Sequence, residues 1–108
     1  MDNQVGYYCR MEKSTPHCKL SVIKAMIEAG KVRSTVSALA GSAAMGFDFV
    51  AMVHVVKTLT AGDFYKSMTT HADHRVWQDV YRPTTSAGEV YLKLTVMDEV
   101  LIVSFKEL

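Results

Sequence analysis

A chain of 108 residues, 49% of them hydrophobic and 21% charged, is one domain long enough to bury a core without disulfides or a structural metal. No apolar run approaches the ~18–20 residues that cross a bilayer, and Met1 to Arg10 carries Asp2 and no apolar stretch, unlike a secretory leader. The net charge of +1 offers no general attraction for nucleic acid. Along the chain, Thr15-Pro16 predicts a helix start, with Thr15 as N-cap and Pro16 in the first turn. Leu20, Ile23 and Ile27 then recur at helical spacing, Val22 and Met26 widen the stripe, and Gly30 is the stop. The first helix is therefore placed at about Pro16–Ala29, with Lys19 and Lys24 facing water. A small, alanine-rich stretch from Val36 to Met45 reads as a second helix, weakened by Gly41 and stopped by Gly46. Asp48 is the expected N-cap of a third helix to about Thr58, with Phe49, Met52, Val53 and Val56 inward.

After Gly62 the hydrophobic period changes from helical to two. Phe64–Thr70, Val76–Arg82, Glu89–Met97 and Val100–Lys106 read as four strands joined by short polar connections, hence antiparallel neighbours. Helices first and a hairpin sheet second gives an α+β fold, the helices packed on one face of a C-terminal antiparallel sheet.

The last two strands carry the most local information. If Asp98-Glu99 is a two-residue turn, Leu92 opposes Phe105, Leu94 opposes Val103 and Val96 opposes Leu101, so every apolar pair matches. The same register sets Tyr91 against Lys106 and Lys93 against Ser104, although Asp-Glu is not a favoured turn and a bulge would shift it. In the preceding strand Trp77 and Tyr81 point to the core with Asp79 between them as an inward charge, leaving Gln78, Val80 and Arg82 on the other face. Pairing Arg82 with Glu89 would bring Gln78 beside the Tyr91 face.

Charge and thiols are unevenly spread. Six basic residues stand against two acids between Arg10 and Arg33, and five against seven from Asp63 onward, so a nucleic-acid site in the second half must rely on placed cations. Cys9 and Cys18 have neither C-x-x-C spacing nor a second pair, which argues against a zinc ribbon and for the reducing cytoplasm. His71 and His74 lack a third ligand and read as solvated loop residues; His17 and His54 read as surface or packed side chains. The seven methionines read first as core filling.

The stretches Asp63-Phe-Tyr-Lys-Ser-Met-Thr-Thr70, Trp77-Gln-Asp-Val-Tyr-Arg-Pro83, Val90-Tyr-Leu-Lys93 after Gly88, and Val100-Leu-Ile-Val-Ser-Phe-Lys-Glu107 resemble the MqsR family of toxins. Met11-Glu-Lys, Thr15-Pro-His and Leu20-Ser extend the likeness, which runs from Met11 to Glu107 and leaves out Met1–Arg10, making Met11 a candidate natural start. The resemblance implies a RelE-like fold and a metal-independent endoribonuclease without cofactor that cuts mRNA, with preference for GC-containing triplets. It implies a cognate MqsA-like antitoxin with a zinc-binding half and a helix-turn-helix half, DNA being contacted only through that partner. The family's functional residues fall on Lys66, Gln78, Tyr91 and Lys106, three of them on the face derived from alternation. Departures at Ala38–Val56, His71, Thr84–Ala87 and Asp98 bear on the antitoxin contact and the triplet preference.

Metal-free RNA cleavage uses the ribose 2′-OH as nucleophile and needs a base, positive charge for the phosphorane, and an acid for the leaving 5′ oxygen. Lys66 and Lys106 are the candidates for charge, or for base if a neighbouring cation and desolvation favour the neutral amine. Tyr91 is the candidate proton donor or phosphate ligand, and Gln78 the residue that orients the ribose or reads a base edge. Met68, Arg82 and Lys93 are candidate RNA contacts. A lysine opposite a tyrosine on a strand is by itself only a solvated sheet face. The alternatives are a toxin-like binding module acting through its antitoxin in operon autoregulation and, last, a metal hydrolase using His71 and His74.

Overall fold

The computed structural model describes residues 11–108; the readings made of Met1–Arg10 and of Cys9 fall outside the described residues. Seven strands and three helices follow in the order β1 (Glu12–Lys13), α1 (Leu20–Glu28), β2 (Val32–Ser34), α2 (Val36–Ala44), α3 (Phe49–Lys57), β3 (Phe64–Thr69), β4 (Trp77–Tyr81), β5 (Thr84–Thr85), β6 (Gly88–Val96) and β7 (Val100–Glu107). The sheet order is β1-β3-β4-β6-β7-β2, with β5 paired to β6. The α+β class therefore stands. The sheet is larger than four strands, because β1 joins antiparallel to β3 and β2 joins parallel to β7 at opposite edges.

The first helix begins at Leu20 with Lys19 as its N-cap, four residues later than Thr15-Pro16 suggests. The reason is tertiary. The buried Asp79 carboxylate accepts the backbone N–H of His17 at 2.9 Å and of Cys18 at 3.0 Å, so the chain is tied to β4 instead of coiling. Two charge-assisted bonds outweigh one extra helical turn. The inward charge in the alternation of β4 thus has its partners. Trp77, on the same face, is only half-buried; His17 stacks on it at 5.3 Å and the Lys13 ammonium lies 4.2 Å from its ring centroid. At the far end of α1, Gly30 takes φ 79°, and Gly30 and Lys31 donate to Ile27 and Met26, satisfying the last carbonyls.

α2 starts on Thr35, whose Oγ1 accepts from Ala38 N at 3.0 Å and donates to Val103 O at 2.8 Å. α3 starts on Asp48, as expected, accepting from Ala51 N at 2.8 Å. Its buried face is Met52, Val55 and Val56; Val53 packs at the margin, whereas Phe49 is 39% exposed and does not point inward. α2 packs on β7 and α1 on α3 and β7, so one sheet face is covered by helices. The core between them holds Ile23, Ile27, Met52, Val56, Tyr81, Leu92, Leu94, Ile102 and Phe105, each worth roughly 1.5–3 kcal/mol when buried.

The β6–β7 ladder runs Tyr91–Lys106, Leu92–Phe105 and Lys93–Ser104, then shifts between Lys93 and Leu94, after which Leu94 pairs Ile102 and Val96 pairs Val100. The turn is three residues, Met97–Glu99, and not the two-residue Asp98-Glu99 expected, so the pairs Leu94–Val103 and Val96–Leu101 do not form; the bulge offsets the extra turn residue and restores Lys93–Ser104 and Tyr91–Lys106. The bulge returns Val100 and Ile102 to the core and leaves Leu101 and Val103 half-buried. Arg82 does not pair with Glu89 either, since Glu89 pairs with Thr84 and β4 meets β6 through Asp79–Leu94, Val80–Lys93 and Tyr81–Leu92.

Candidate functional site: the helix-free face of the sheet

Residues paired across a ladder project from the same side of a sheet, so the registers alone assemble the site. Lys66 pairs with Val80, Val80 with Lys93, and Lys93 with Ser104, a row across four strands. Met68 pairs with Gln78 on one side of that row, and Tyr91 with Lys106 on the other. Lys66, Gln78, Tyr91 and Lys106 thus share one face, opposite the helices that cover Tyr81, Leu92 and Phe105. Val80 is fully buried and Met68 5% exposed, forming an apolar floor, while Gln78, Tyr91 and Lys93 are half-buried and Lys106 is exposed.

The quartet is a band, not one cluster. Two strand spacings, about 10 Å, separate β3 from β6, and a third reaches β7. At one end the Lys66 ammonium donates to Glu12 Oε2 at 2.9 Å. At the other the Lys106 ammonium lies 5.3 Å from the Tyr91 ring centroid. The side chain that Lys66 contacts at this end is a carboxylate.

Among the proposed RNA contacts, Lys93 is central in the row, and Met68 is in the floor where little of it is accessible. Arg82 is exposed, with its guanidinium 4.6 Å from the ring of Tyr65. Tyr65 is the residue that alternation missed. A bulge between Phe64 and Lys66 sets it 48% exposed, between Arg82 and the Lys66 ammonium at 5.5 Å. An aromatic ring flanked by two cations is a stacking platform for an unpaired base. Glu12 was missed as well, because a two-residue edge strand leaves no periodicity to read.

Behind the site, the Asp79 anchor and Tyr81 hold β4 from below. Burial raises the pKa of the Cys18 thiol, with a smaller push from Asp79, and burial likewise raises that of the Tyr81 phenol. His71 and His74 are exposed on the loop before β4, and no group of three or more His, Cys, Asp or Glu side chains among the described residues converges as a metal site. A cleft of about 530 Å³ between α3 and the segment Pro83–Ser86 lies away from the quartet and includes none of it. No single helix among the described residues is long and apolar enough to cross a membrane.

Comparison with known proteins places the chain in a family. Residues 15–107 match the family described as "Motility quorum-sensing regulator, toxin of MqsA". The chain is 57% identical over 97 residues to the mRNA interferase toxin MqsR of Escherichia coli (strain K12), covering 90% of this chain and 99% of that protein.

Proposed function

The chain belongs to the MqsR toxin family, and from that premise we propose that it is an mRNA interferase acting in the cytoplasm as the toxin of a toxin–antitoxin pair. The observation that carries the reading is the gathering of Lys66, Gln78, Tyr91 and Lys106 on the helix-free face by three independent ladders. In this reading the RNA runs across the strands. The reaction is metal-independent attack of the ribose 2′-OH on the adjacent phosphorus, leaving a 2′,3′-cyclic phosphate and a 5′-OH. Lys66 and Lys106 balance the charge that builds on the phosphate oxygens, Tyr91 donates to a phosphate oxygen or to the leaving 5′ oxygen, and Gln78 orients the ribose or reads a base edge. Preference for GC-containing triplets and neutralisation by an MqsA-like antitoxin, with zinc-binding and helix-turn-helix halves, complete the proposal.

The test is incubation of the purified chain with a defined mRNA in EDTA, with the cut ends mapped. Cuts at recurrent triplets that end in a cyclic phosphate support the proposal. An intact RNA from protein shown to be folded overturns it, and leaves a toxin-like module acting through its antitoxin.

A further inference from the structure

Cleavage through the 2′-OH requires a group that takes its proton, and the quartet provides two ammonium groups, a phenol and an amide, none of which is a ready acceptor. Among the described residues, one carboxylate is bonded to a member of the quartet: Glu12, through Oε2 to Lys66 Nζ at 2.9 Å. Its position is built by the sheet. Glu12 pairs with Met68, and Met68 with Gln78, so the carboxylate, the floor methionine and the amide occupy one row over three neighbouring strands. Lys66 stands two residues before Met68 on the same face. Acid and ammonium are therefore in contact at one end of the band, with the amide on the same face two strands from the acid.

We propose that Glu12 is the general base of the reaction, with Lys66 as the cation beside it; this rests on the reading of the chain as an mRNA interferase. A carboxylate and an ammonium in contact match the two demands of the attacking ribose. The 2′ oxygen and the phosphorus must approach to about 3–3.5 Å, so one group has to face the hydroxyl while its neighbour faces a non-bridging oxygen. When RNA binds, the 2′-OH takes the carboxylate and the phosphate takes the ammonium, replacing the direct ion pair. The carboxylate accepts the hydroxyl proton as the O2′–P bond forms. The P–O5′ bond breaks, and the 5′ oxygen takes a proton from water on the open face, since Tyr91 and Lys106 lie three and four strands from Glu12 and face flanking phosphates. Exchange with water returns Glu12 to its carboxylate form. No metal, oxidant or reactant beyond water is needed. The other charged and titratable groups on or beside that face, among the described residues, are Tyr65, Arg82, Glu89, Tyr91, Lys93 and Lys106, with Arg33 at the far edge on β2.

The experiment compares the unmodified chain with Glu12→Gln and Glu12→Asp. Single-turnover cleavage of one RNA is followed across pH in EDTA, together with binding of the same RNA carrying a 2′-deoxy residue at the cut. Glu12→Gln is expected to lower the cleavage rate by about 100-fold or more and to abolish the acidic limb of the pH profile. It should bind the deoxy substrate as well as, or more tightly than, the unmodified chain, since a negative charge is gone. Glu12→Asp, which keeps the carboxylate, should retain part of the rate and the acidic limb. Glutamine cutting within about threefold of the unmodified chain, or keeping the acidic limb, would overturn the proposal and leave Glu12 as an ion-pair partner only. Failure of the unmodified chain to cut would instead refute the interferase reading, so the two failures are distinct.

Discussion

Gly41 of α2 faces the carbonyl of Phe105 on β7 so closely that a methyl group at position 41 would overlap the carbonyl oxygen. The glycine that weakens this helix as an isolated segment is what lets it settle on the strand carrying Lys106. Local propensity is sacrificed for a close helix–sheet contact that sets one end of the site.

Gly41→Ala is therefore expected to destabilise the chain by about 3 kcal/mol or more, against the small gain an alanine gives in an open helix. Urea unfolding measures it. A variant as stable as the parent would mean that α2 and β7 part without cost.

Asp79 is 3% exposed and holds two backbone N–H groups of the segment before α1. Asp79→Asn keeps one acceptor oxygen and turns an amide donor toward the second N–H. A loss of about 1.5–3 kcal/mol is expected, with increased protease sensitivity between Ser14 and Lys19. Unchanged stability would contradict the anchor.

The Cys18 thiol is held protonated by burial and, to a lesser extent, by Asp79. A group whose pKa is raised in the fold contributes stability that is present below its unfolded value and is lost as pH rises through the folded value. In a Cys9→Ser background, the pH midpoint of alkylation by iodoacetamide should lie higher for the native chain than for the denatured one, and stability should fall on the alkaline side. Coincident midpoints would refute the shift. The buried Tyr81 phenol, shifted the same way, adds to that alkaline loss.

The parts of the fold that were legible are those governed by near neighbours. Asp48 caps α3 from within its own first turn, whereas Tyr91 meets Lys106 as expected only because the three-residue turn Met97–Glu99 and the bulge in the β6–β7 ladder offset each other. Alternation failed at the two bulges, after Lys93 and after Phe64, because an extra residue in one strand reverses every face beyond it. Thr15-Pro16 misplaced the start of α1 because Asp79, more than sixty positions away, claims the backbone there. The same limits shaped the site. Lys66, Gln78, Tyr91 and Lys106 came from recognisable motifs, whereas Tyr65 emerges only from a bulge and Glu12 only from a two-residue edge strand.

Tyr65 supplies the platform for a base if RNA crosses this face. Stacking on one aromatic ring is worth about 1–3 kcal/mol, so Tyr65→Ala should weaken binding of a 2′-deoxy-blocked RNA by about tenfold, and Tyr65→Phe should leave it nearly unchanged. Fluorescence anisotropy gives both values. Equal affinity for the alanine variant and the parent would remove Tyr65 from the RNA path.

The most direct test of the helix-free face as the RNA-cutting surface is to measure cleavage of one mRNA in EDTA by Lys66→Ala, Gln78→Ala, Tyr91→Ala and Lys106→Ala, each confirmed as folded. Lys31→Ala, on the turn between α1 and β2, serves as the control. Each of the four should lose at least about tenfold in rate, with Lys66→Ala losing most, while the control stays within about twofold, as expected for a distant surface change. Unchanged cleavage at two or more of the four positions would contradict the assignment.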